Sequence, residues 1–363
     1  MGLNLGFYKG RRVLITGHTG FKGSWLTIWL NHLGAVTSGI ALDPAGERDL
    51  FRLAGLEKRI SDHRADIRSL KDTELIIEAE KPETVFHLAA QSIVFEGYRE
   101  PVLTFETNLM GTVNILEACR KSDSVQEIII VTTDKVYENL EQDRGYREGD
   151  SLGGWDPYSA SKACAEIAAQ AYRRSFYGPG EGYGKVTAVA TARAGNVIGG
   201  GDWAADRLIP DCVRSLEKGE PVIIRNPDSV RPWQHVMESL SGYLQLGVKC
   251  AEDPFRYSGA WNFGPDSSNA VSVMKLVSEF ISCWGSGSVE ESAGRTGYHE
   301  AGILLLDAGK AKDQIDWQPL LSLSESVRLT AEWYRNYRNR DAHDLCIEQI
   351  EQYNELWTSG SLR

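Results

Sequence analysis

Arg12-Val13-Leu14-Ile15-Thr16-Gly17-His18-Thr19-Gly20-Phe21-Lys22-Gly23 decides how this chain is read. A short apolar run ends in glycines spaced three and three. An apolar stretch, Trp25-Leu26-Thr27-Ile28-Trp29-Leu30, follows and stops at Gly34. Strand, glycine turn, helix and helix stop form the context in which a chain receives a dinucleotide. The spacing is G-x-x-G-x-x-G instead of G-x-G-x-x-G, but the same three tasks can be shared out. Gly17 allows the tight turn, Gly20 lets the backbone approach a pyrophosphate, and Gly23 lets the helix pack close to the sheet. The helix amino end then faces the phosphates. A second strand, Val36 to Leu42, ends at Asp43, 20 residues after Gly23. A carboxylate there binds the adenosine ribose hydroxyls and repels a 2′-phosphate, which favours NAD over NADP. Lys22 and Arg48 lie nearby and weaken that preference.

Outward from this unit, β-prone runs alternate with helical stretches. A possible strand runs to Asp66-Ile67, followed by Thr84 to Ala90, Glu127 to Thr133 and Val186 to Ala190. This alternation predicts an α/β fold, a Rossmann-type doubly wound parallel sheet with helices on both faces. Ligands bind such sheets outside the carboxyl ends of the strands. The rule selects Asp43, Asp66, Ala89-Ala90-Gln91, Thr133-Asp134-Lys135 and Arg193-Ala194-Gly195-Asn196 as pocket candidates. Beyond residue 196 the alternation breaks down. There we expect helices from Arg207, after Val236, near Ser272–Trp284 and from Ser322, a strand at Val222-Ile223-Ile224, and a mobile loop from Ser286 to Gly297. Residues 1–195 thus read as a dinucleotide-binding domain. Residues 196–363 read as a smaller, mixed substrate-binding region, part of which, at Trp261-Asn262-Phe263, rejoins the large sheet. The helices Pro101–Ser122 and the one beginning at Pro157 cover the sheet or pair two subunits.

A second constellation lies in Asp156-Pro157-Tyr158-Ser159-Ala160-Ser161-Lys162. Asp156 can cap the first amides of a helix, and Pro157 fits its first position. Tyr158 and Lys162 then share one face at i and i+4. An ammonium beside a phenol lowers its pKa from near 10, so that it can take a proton from a sugar hydroxyl while a nicotinamide takes the hydride.

Composition narrows the field. The chain of 363 residues carries 39 basic and 50 acidic side chains, a net charge of −11, without a basic run, which argues against nucleic acid. Its six cysteines are scattered and read as reduced residues of a cytoplasmic protein. There is no signal-peptide pattern and no apolar run of membrane-spanning length. His18 and His87 read as turn and strand-end hydrogen-bonding residues. No His/Asp/Glu cluster has ligand spacing, so no metal is expected.

With the glycine turn, Asp43, Thr133 and Tyr158/Lys162 in this order, the chain resembles the extended short-chain dehydrogenase/reductases. Within them it is similar to the nucleotide-sugar 4,6-dehydratases, and most similar to their cytidine branch. Three stretches carry the likeness: Thr16 to Leu26, Arg193 to Trp203, and Ile224-Arg225-Asn226-Pro227 with Arg231-Pro232-Trp233-Gln234-His235. The resemblance implies a resident NAD that leaves the reaction unchanged, CDP-glucose as substrate, and a homodimer or homotetramer. It implies Tyr158 as base for the C4 hydroxyl, Lys162 as its partner, Thr133 as a hydrogen bond to the C4 oxygen, and Asp134 as acid at C6. It places Gly17, Gly20, Phe21 and Gly23 along the pyrophosphate, Asp43 at the ribose and Asp66-Ile67 at the adenine. Leu88, Ala89, Ala90 and Thr107 fall on the nicotinamide side, and Asn196, Arg207, Arg231 and His299 on the sugar nucleotide. Trp203 and Trp233 lie in the motif loops and border the substrate. Where many members have a glutamate after the aspartate, this chain has Lys135. It is either the C5 base, which requires a neutral amine, or a charged stabiliser of the enolate. A nucleotide-sugar 4-epimerase and a non-catalytic NAD-binding scaffold are the rival readings.

Overall fold

A computed structural model of the chain describes residues 5–142, 144–177, 186–265, 269–292 and 304–360. Its centre is a seven-stranded sheet in which every pairing is parallel. The strands are β1 (Arg12–Thr16), β2 (Val36–Ala41), β3 (Ser61–Arg64), β4 (Thr84–His87), β5 (Glu127–Val131), β6 (Ala188–Arg193) and β7 (Gly259–Asn262). They lie side by side in the order β7-β6-β5-β4-β1-β2-β3. Strand order reverses between β1 and β4, and that is where a crevice opens.

Alternation along the central strands divides two cores. Val13, Ile15, Ile129 and Val131 face the Phe21–His32 and Val236–Glu252 helices. Leu14, Ile128, Ile130 and Val189 face the opposite layer, with Ile77, Ile115 and Ala169 of the Leu70–Glu80, Gly111–Lys121 and Pro157–Phe176 helices. Covered on both faces, β5 and β6 are wholly buried, with Glu127, Thr191 and Arg193 among otherwise apolar residues. The edge strand β3, Ser61-Asp62-His63-Arg64, is polar, which discourages pairing with another chain.

The expected Rossmann-type sheet is therefore present, and β7 rejoins it from beyond residue 196. Segments on both sides of residue 195 share one core: the Ala342–Gly360 helix also packs on the Phe21–His32 helix. The Ser286–Gly297 loop needs correction. Val289–Glu291 is a strand paired in parallel with Val222–Ile224, an arrangement that a tertiary neighbour supplies and that Val-Glu-Glu does not announce. Residues 293–297 lie outside the described part. The long helix from Pro101 is interrupted by a wide turn at Glu106–Met110 before it resumes as Gly111–Lys121. Among the described residues no helix is long and apolar enough to cross a membrane.

Candidate active site

At the carboxyl ends of β1, β4, β5 and β6 lies a cavity of about 850 Å³. That is near the top of the range of roughly 300–1,000 Å³ for a small-molecule site. On its β1 side the three glycines have three distinct reasons. Gly17 has φ +74° and lies so close to β4 that a Cβ would stand 2.7 Å from the Ala89 nitrogen. A Cβ on Gly23 would stand 2.1 Å from the Gly17 carbonyl, so only glycine lets the helix seat here. A Cβ on Gly20 would meet only the Gly17 carbonyl, at 3.4 Å, yet Gly20 lines the cavity. What a side chain there would obstruct is the cavity itself. Gly20 also leaves the Phe21–His32 helix without a side-chain cap, so the first-turn amides are available to an anion. These features fit a dinucleotide pyrophosphate.

Phe21, Asp66, Ile67, Leu88, Ala89, Ala90 and Thr107 all line the same cavity. Thr107 is in the wide turn of the Pro101–Lys121 helix, an irregularity frequent at functional sites. Asp66 is engaged by Arg68, whose guanidinium holds its carboxyl below the usual range. Asp43 stands outside the cavity wall, mostly exposed, with its Oδ1 3.6 Å from Arg64 Nε. Beneath the β1–β4 crevice, burial and Lys162 bring His87 down to about 3, so its ring is neutral. Thr16 Oγ1, which accepts from the Leu88 and Ala89 amides, is 2.7 Å from its Nδ1. Thr112 Oγ1, committed to the Asn108 carbonyl, is 3.0 Å from Nε2. This chain places the proton on Nε2 and gives His87 the structural role expected of it. His18 is buried and bonded to Asp62.

The reacting groups come from two elements. Asp156 accepts from the Ser159 amide at 3.0 Å, and Pro157 opens the Pro157–Phe176 helix, as its sequence announces. Tyr158 and Lys162 thereby face Thr133, Asp134 and Lys135, just beyond β5, all lining one cavity. Thr133 Oγ1 donates to Asp134 Oδ1 at 2.8 Å, and Thr133 stands beside Tyr158, where it favours the ionised phenol. The expected lowering of the Tyr158 pKa is not found. Burial pushes it up to about 12, with Thr133 and Arg207 opposing. Lys162 turns its ammonium to the Val131 carbonyl, 3.1 Å away, and burial brings it down to about 8.

Glu166, one further turn along, anchors this arrangement. It accepts from Thr132 Oγ1 at 2.6 Å, from Thr191 Oγ1 at 2.7 Å, and from Arg193 Nε and Nη2 at 3.0 and 2.8 Å. Both members of the Glu166–Arg193 pair are buried. Arg193, a pocket candidate in sequence, is thus a support behind the wall. The i, i+4, i+8 spacing of Tyr158, Lys162 and Glu166 was the available signal for this residue.

On the far side, Arg231 is buried at the cavity wall on the strand Val230–Pro232. Arg207 bridges Asp202 and Ser92, at 2.9 and 2.8 Å. Asn196 lines the cavity and donates through Nδ2 to Asp134. Trp233 lines the cavity. Trp203 does not, and stacks beneath Arg48, 3.6 Å from its ring centre. His299 lies outside the described residues. Sequence reasoning missed Arg225, which lines the cavity near Asp206 and Phe95, and it placed Lys22 beside Asp43, whereas Lys22 turns inward. It also overlooked Asp341, His343 and Asp344, whose ligand atoms cluster at the surface. There Asp341 accepts from the His343 and Asp344 amides, as a helix cap does. The six cysteines are free thiols.

The family described as GDP-mannose 4,6 dehydratase matches residues 14–330. The chain belongs to that family. A CDP-glucose 4,6-dehydratase of Salmonella typhimurium is 44% identical over 353 residues, 97% of this chain and 98% of that one. A dTDP-glucose 4,6-dehydratase of the same organism is 28% identical, over 89% and 92% of the two chains. Among solved structures, a UDP-glucose 4-epimerase of Thermus thermophilus in complex with NAD superposes with TM-score 0.76, at 24% identity, over 89% of this chain and 99% of that one. A dTDP-glucose 4,6-dehydratase of Streptomyces venezuelae with NAD bound gives 0.75 at 24% identity, over 90% and 98%. The fold of this dehydratase-family chain is that of the extended short-chain dehydrogenase/reductases.

Proposed function

We propose that the chain is an NAD-dependent CDP-glucose 4,6-dehydratase, which converts CDP-glucose to CDP-4-keto-6-deoxyglucose and water. The observation that carries this reading is the convergence of Tyr158, Thr133, Asp134 and Lys135 in one cavity with the glycine turn. The 44% identity with a CDP-glucose 4,6-dehydratase supports the choice of cytidine. Residues 1–195 hold the dinucleotide and residues 196–363 mainly the sugar nucleotide.

When bound, NAD supplies the acceptor and later the donor of one hydride, taken from C4 and returned to C6. Tyr158, whose ionisation Thr133 and Arg207 favour against burial, takes the C4 hydroxyl proton while Thr133 holds the C4 oxygen and Lys162 the nicotinamide ribose. With a carbonyl formed at C4, the C5 proton becomes acidic, and Lys135 takes it at Nζ. Asp134 protonates the C6 hydroxyl, which leaves as water and creates the C5–C6 double bond. Lys135 then returns its proton to C5 as hydride reaches C6. Thr133, hydrogen-bonded to Asp134 and next to Tyr158, stands between the group that gains a proton at C4 and the acid that gives one up at C6.

We place the enzyme in the cytoplasm, in deoxysugar biosynthesis of the O-antigen and lipopolysaccharide kind. It works as a homodimer or homotetramer, for which the exposed Val102, Met110 and Ile167 offer apolar surface. Incubation with a panel of nucleoside-diphosphate glucoses tests the function. A 4-keto-6-deoxy product from CDP-glucose is expected. A 4-epimer that keeps its C6 hydroxyl would make it an epimerase, and no turnover of any sugar nucleotide would leave an NAD-binding scaffold.

A further inference from the structure

Arg48 belongs to the loop that follows β2 and carries Asp43, yet its side chain leaves the cofactor side of the fold. Its Nη2 donates to Glu217 Oε1 and Oε2 at 2.9 and 2.7 Å and to the Tyr337 hydroxyl. Its guanidinium lies 3.6 Å from the centre of the Trp203 ring and 5.6 Å from that of Tyr337. All three partners come from beyond residue 196. Although burial raises the Glu217 carboxyl, Arg48, Tyr337 and Arg338 bring it below its usual range, so it meets Arg48 as an anion.

Trp203 and Glu217 are the two ends of one stretch. Trp203 follows Asp202, which accepts from Arg207 Nη1 at 2.9 Å, and Arg207 is the N-cap of the Leu208–Lys218 helix. Arg207, Leu208, Ile209, Pro210 and Asp211 line the cavity, and Glu217 is in the last turn of the same helix. Arg48 therefore grips this wall from behind, at the loop before the helix and at its far end, without lining the cavity itself. The seam is close, since Gly201 has φ +81° and a Cβ there would stand 2.8 Å from Leu50 Cβ. A half-exposed ion pair contributes little alone. A planar guanidinium that stacks on an indole and also holds a carboxylate is fixed in direction, and that is what a wall needs.

We propose that Arg48 is a positioning residue for the sugar nucleotide: by clasping Trp203 and Glu217 it sets the wall from which Arg207 faces the substrate. This rests on the reading of the Arg207 side of the cavity as the sugar-nucleotide side. The loop that brings Asp43 to the cofactor then also steadies the place where the substrate binds.

Calorimetric titration of the NAD-loaded full chain with CDP, and steady-state turnover of CDP-glucose, test this in wild type, Arg48→Met, Arg48→Lys and Glu217→Gln. Arg48→Met should raise the CDP Kd and the KM for CDP-glucose roughly threefold or more, with kcat and NAD affinity retained. Arg48→Lys, which keeps a cation between indole and carboxylate, should stay closer to wild type. Glu217→Gln separates positioning from plain charge. It removes an anion, which would tighten the binding of a diphosphate if only the field mattered, whereas loss of the clasp loosens it. Unchanged CDP affinity in Arg48→Met, or tighter binding in Glu217→Gln, overturns the proposal, and so does a loss confined to NAD. If the wild-type chain bound no CDP, the sugar-nucleotide reading itself would fall, and the proposal with it.

Discussion

Asn196 Nδ2 donates to Asp134 Oδ2 at 3.1 Å, while Thr133 Oγ1 holds the other carboxyl oxygen. Gly195 makes this possible, since a Cβ there would stand 2.1 Å from the Asp134 carboxyl carbon. Asn196 itself has φ +51°, a left-handed conformation that asparagine tolerates better than most residues. The acid assigned to C6 is thus aimed from both sides. In Asn196→Gly the backbone keeps its conformation without a steric cost, and one hydrogen bond to an acidic group, worth about 1.5–3 kcal/mol, is lost. Formation of the 4-keto-6-deoxy product should fall roughly ten- to a hundredfold, with the circular dichroism spectrum retained. Full activity would mean that Thr133 alone positions Asp134.

Asp43 follows β2 at the rim of the dinucleotide side, next to Arg64. If it receives the adenosine ribose, Asp43→Ala should weaken NAD binding and narrow the gap to NADP, because the carboxylate that repels a 2′-phosphate is gone while Arg64, still paired with Asp62, stays close by. Equal affinity of the unmodified protein for NAD and NADP would remove this role.

Arg231 is a cation at the wall of a cavity in a protein of net charge −11. A dianionic diphosphate needs such local charge, and a guanidinium suits it. Arg231→Ala should raise the apparent substrate constant roughly tenfold or more while NAD binding changes little. Unaltered substrate affinity would put the diphosphate elsewhere.

What the sequence made legible was local. Glycines at 17, 20 and 23, the Asp156 cap and the i, i+4 pair Tyr158/Lys162 each depend on neighbours within one turn, and each element forms where it was expected. The misreadings concern relations across the fold. Spacing puts Tyr158 and Lys162 on one face but does not set their separation or depth, so burial reversed the expected pKa direction. Arg193 was assigned to the pocket from a motif shared with Asn196, which does line the cavity, yet Glu166, from another element, claims the Arg193 side chain. Lys22 sits at a helix start where one residue of rotation separates the solvent from the cavity.

Glu238, also invisible as special in sequence, is buried on the Val236–Glu252 helix. It accepts from the amides of Leu320 and Leu321 at 2.8 and 2.6 Å and from Tyr353 Oη at 2.7 Å, tying the C-terminal helices to the core. Burial pushes its carboxyl up to about 7, from an ordinary 4.5. The folded state thus holds this proton more tightly than the unfolded chain. The stabilisation is complete below about pH 4.5 and is lost as pH rises through about 7. Glu238→Gln should therefore stabilise the protein at pH 8, by on the order of 2–3 kcal/mol, and make much less difference at pH 5. Denaturant midpoints at the two pH values measure it. A difference independent of pH would mean that this carboxyl titrates normally.

Lys135 separates the two halves of the proposed reaction. Oxidation at C4 depends on Tyr158 and Lys162, on the Pro157–Phe176 helix, whereas loss of water depends on the group that handles the C5 proton. Lys135 lines the cavity next to Asp134, in the short 3₁₀ turn Asp134–Val136 that follows Thr133. Its amide is 3.4 Å from Thr133 Oγ1, so the turn, and Asp134 with it, is held without the lysine side chain. Lys135→Ala should leave substrate-dependent reduction of bound NAD in place. Release of the 4-keto-6-deoxy product should fall by roughly two orders of magnitude or more, the usual scale of general acid–base catalysis. Exchange of the C5 hydrogen with deuterated solvent should fall with it. If product formation drops while C5 exchange stays fast, Lys135 is not the base. It then acts as a cation that stabilises the enolate, and the C5 proton leaves through another group.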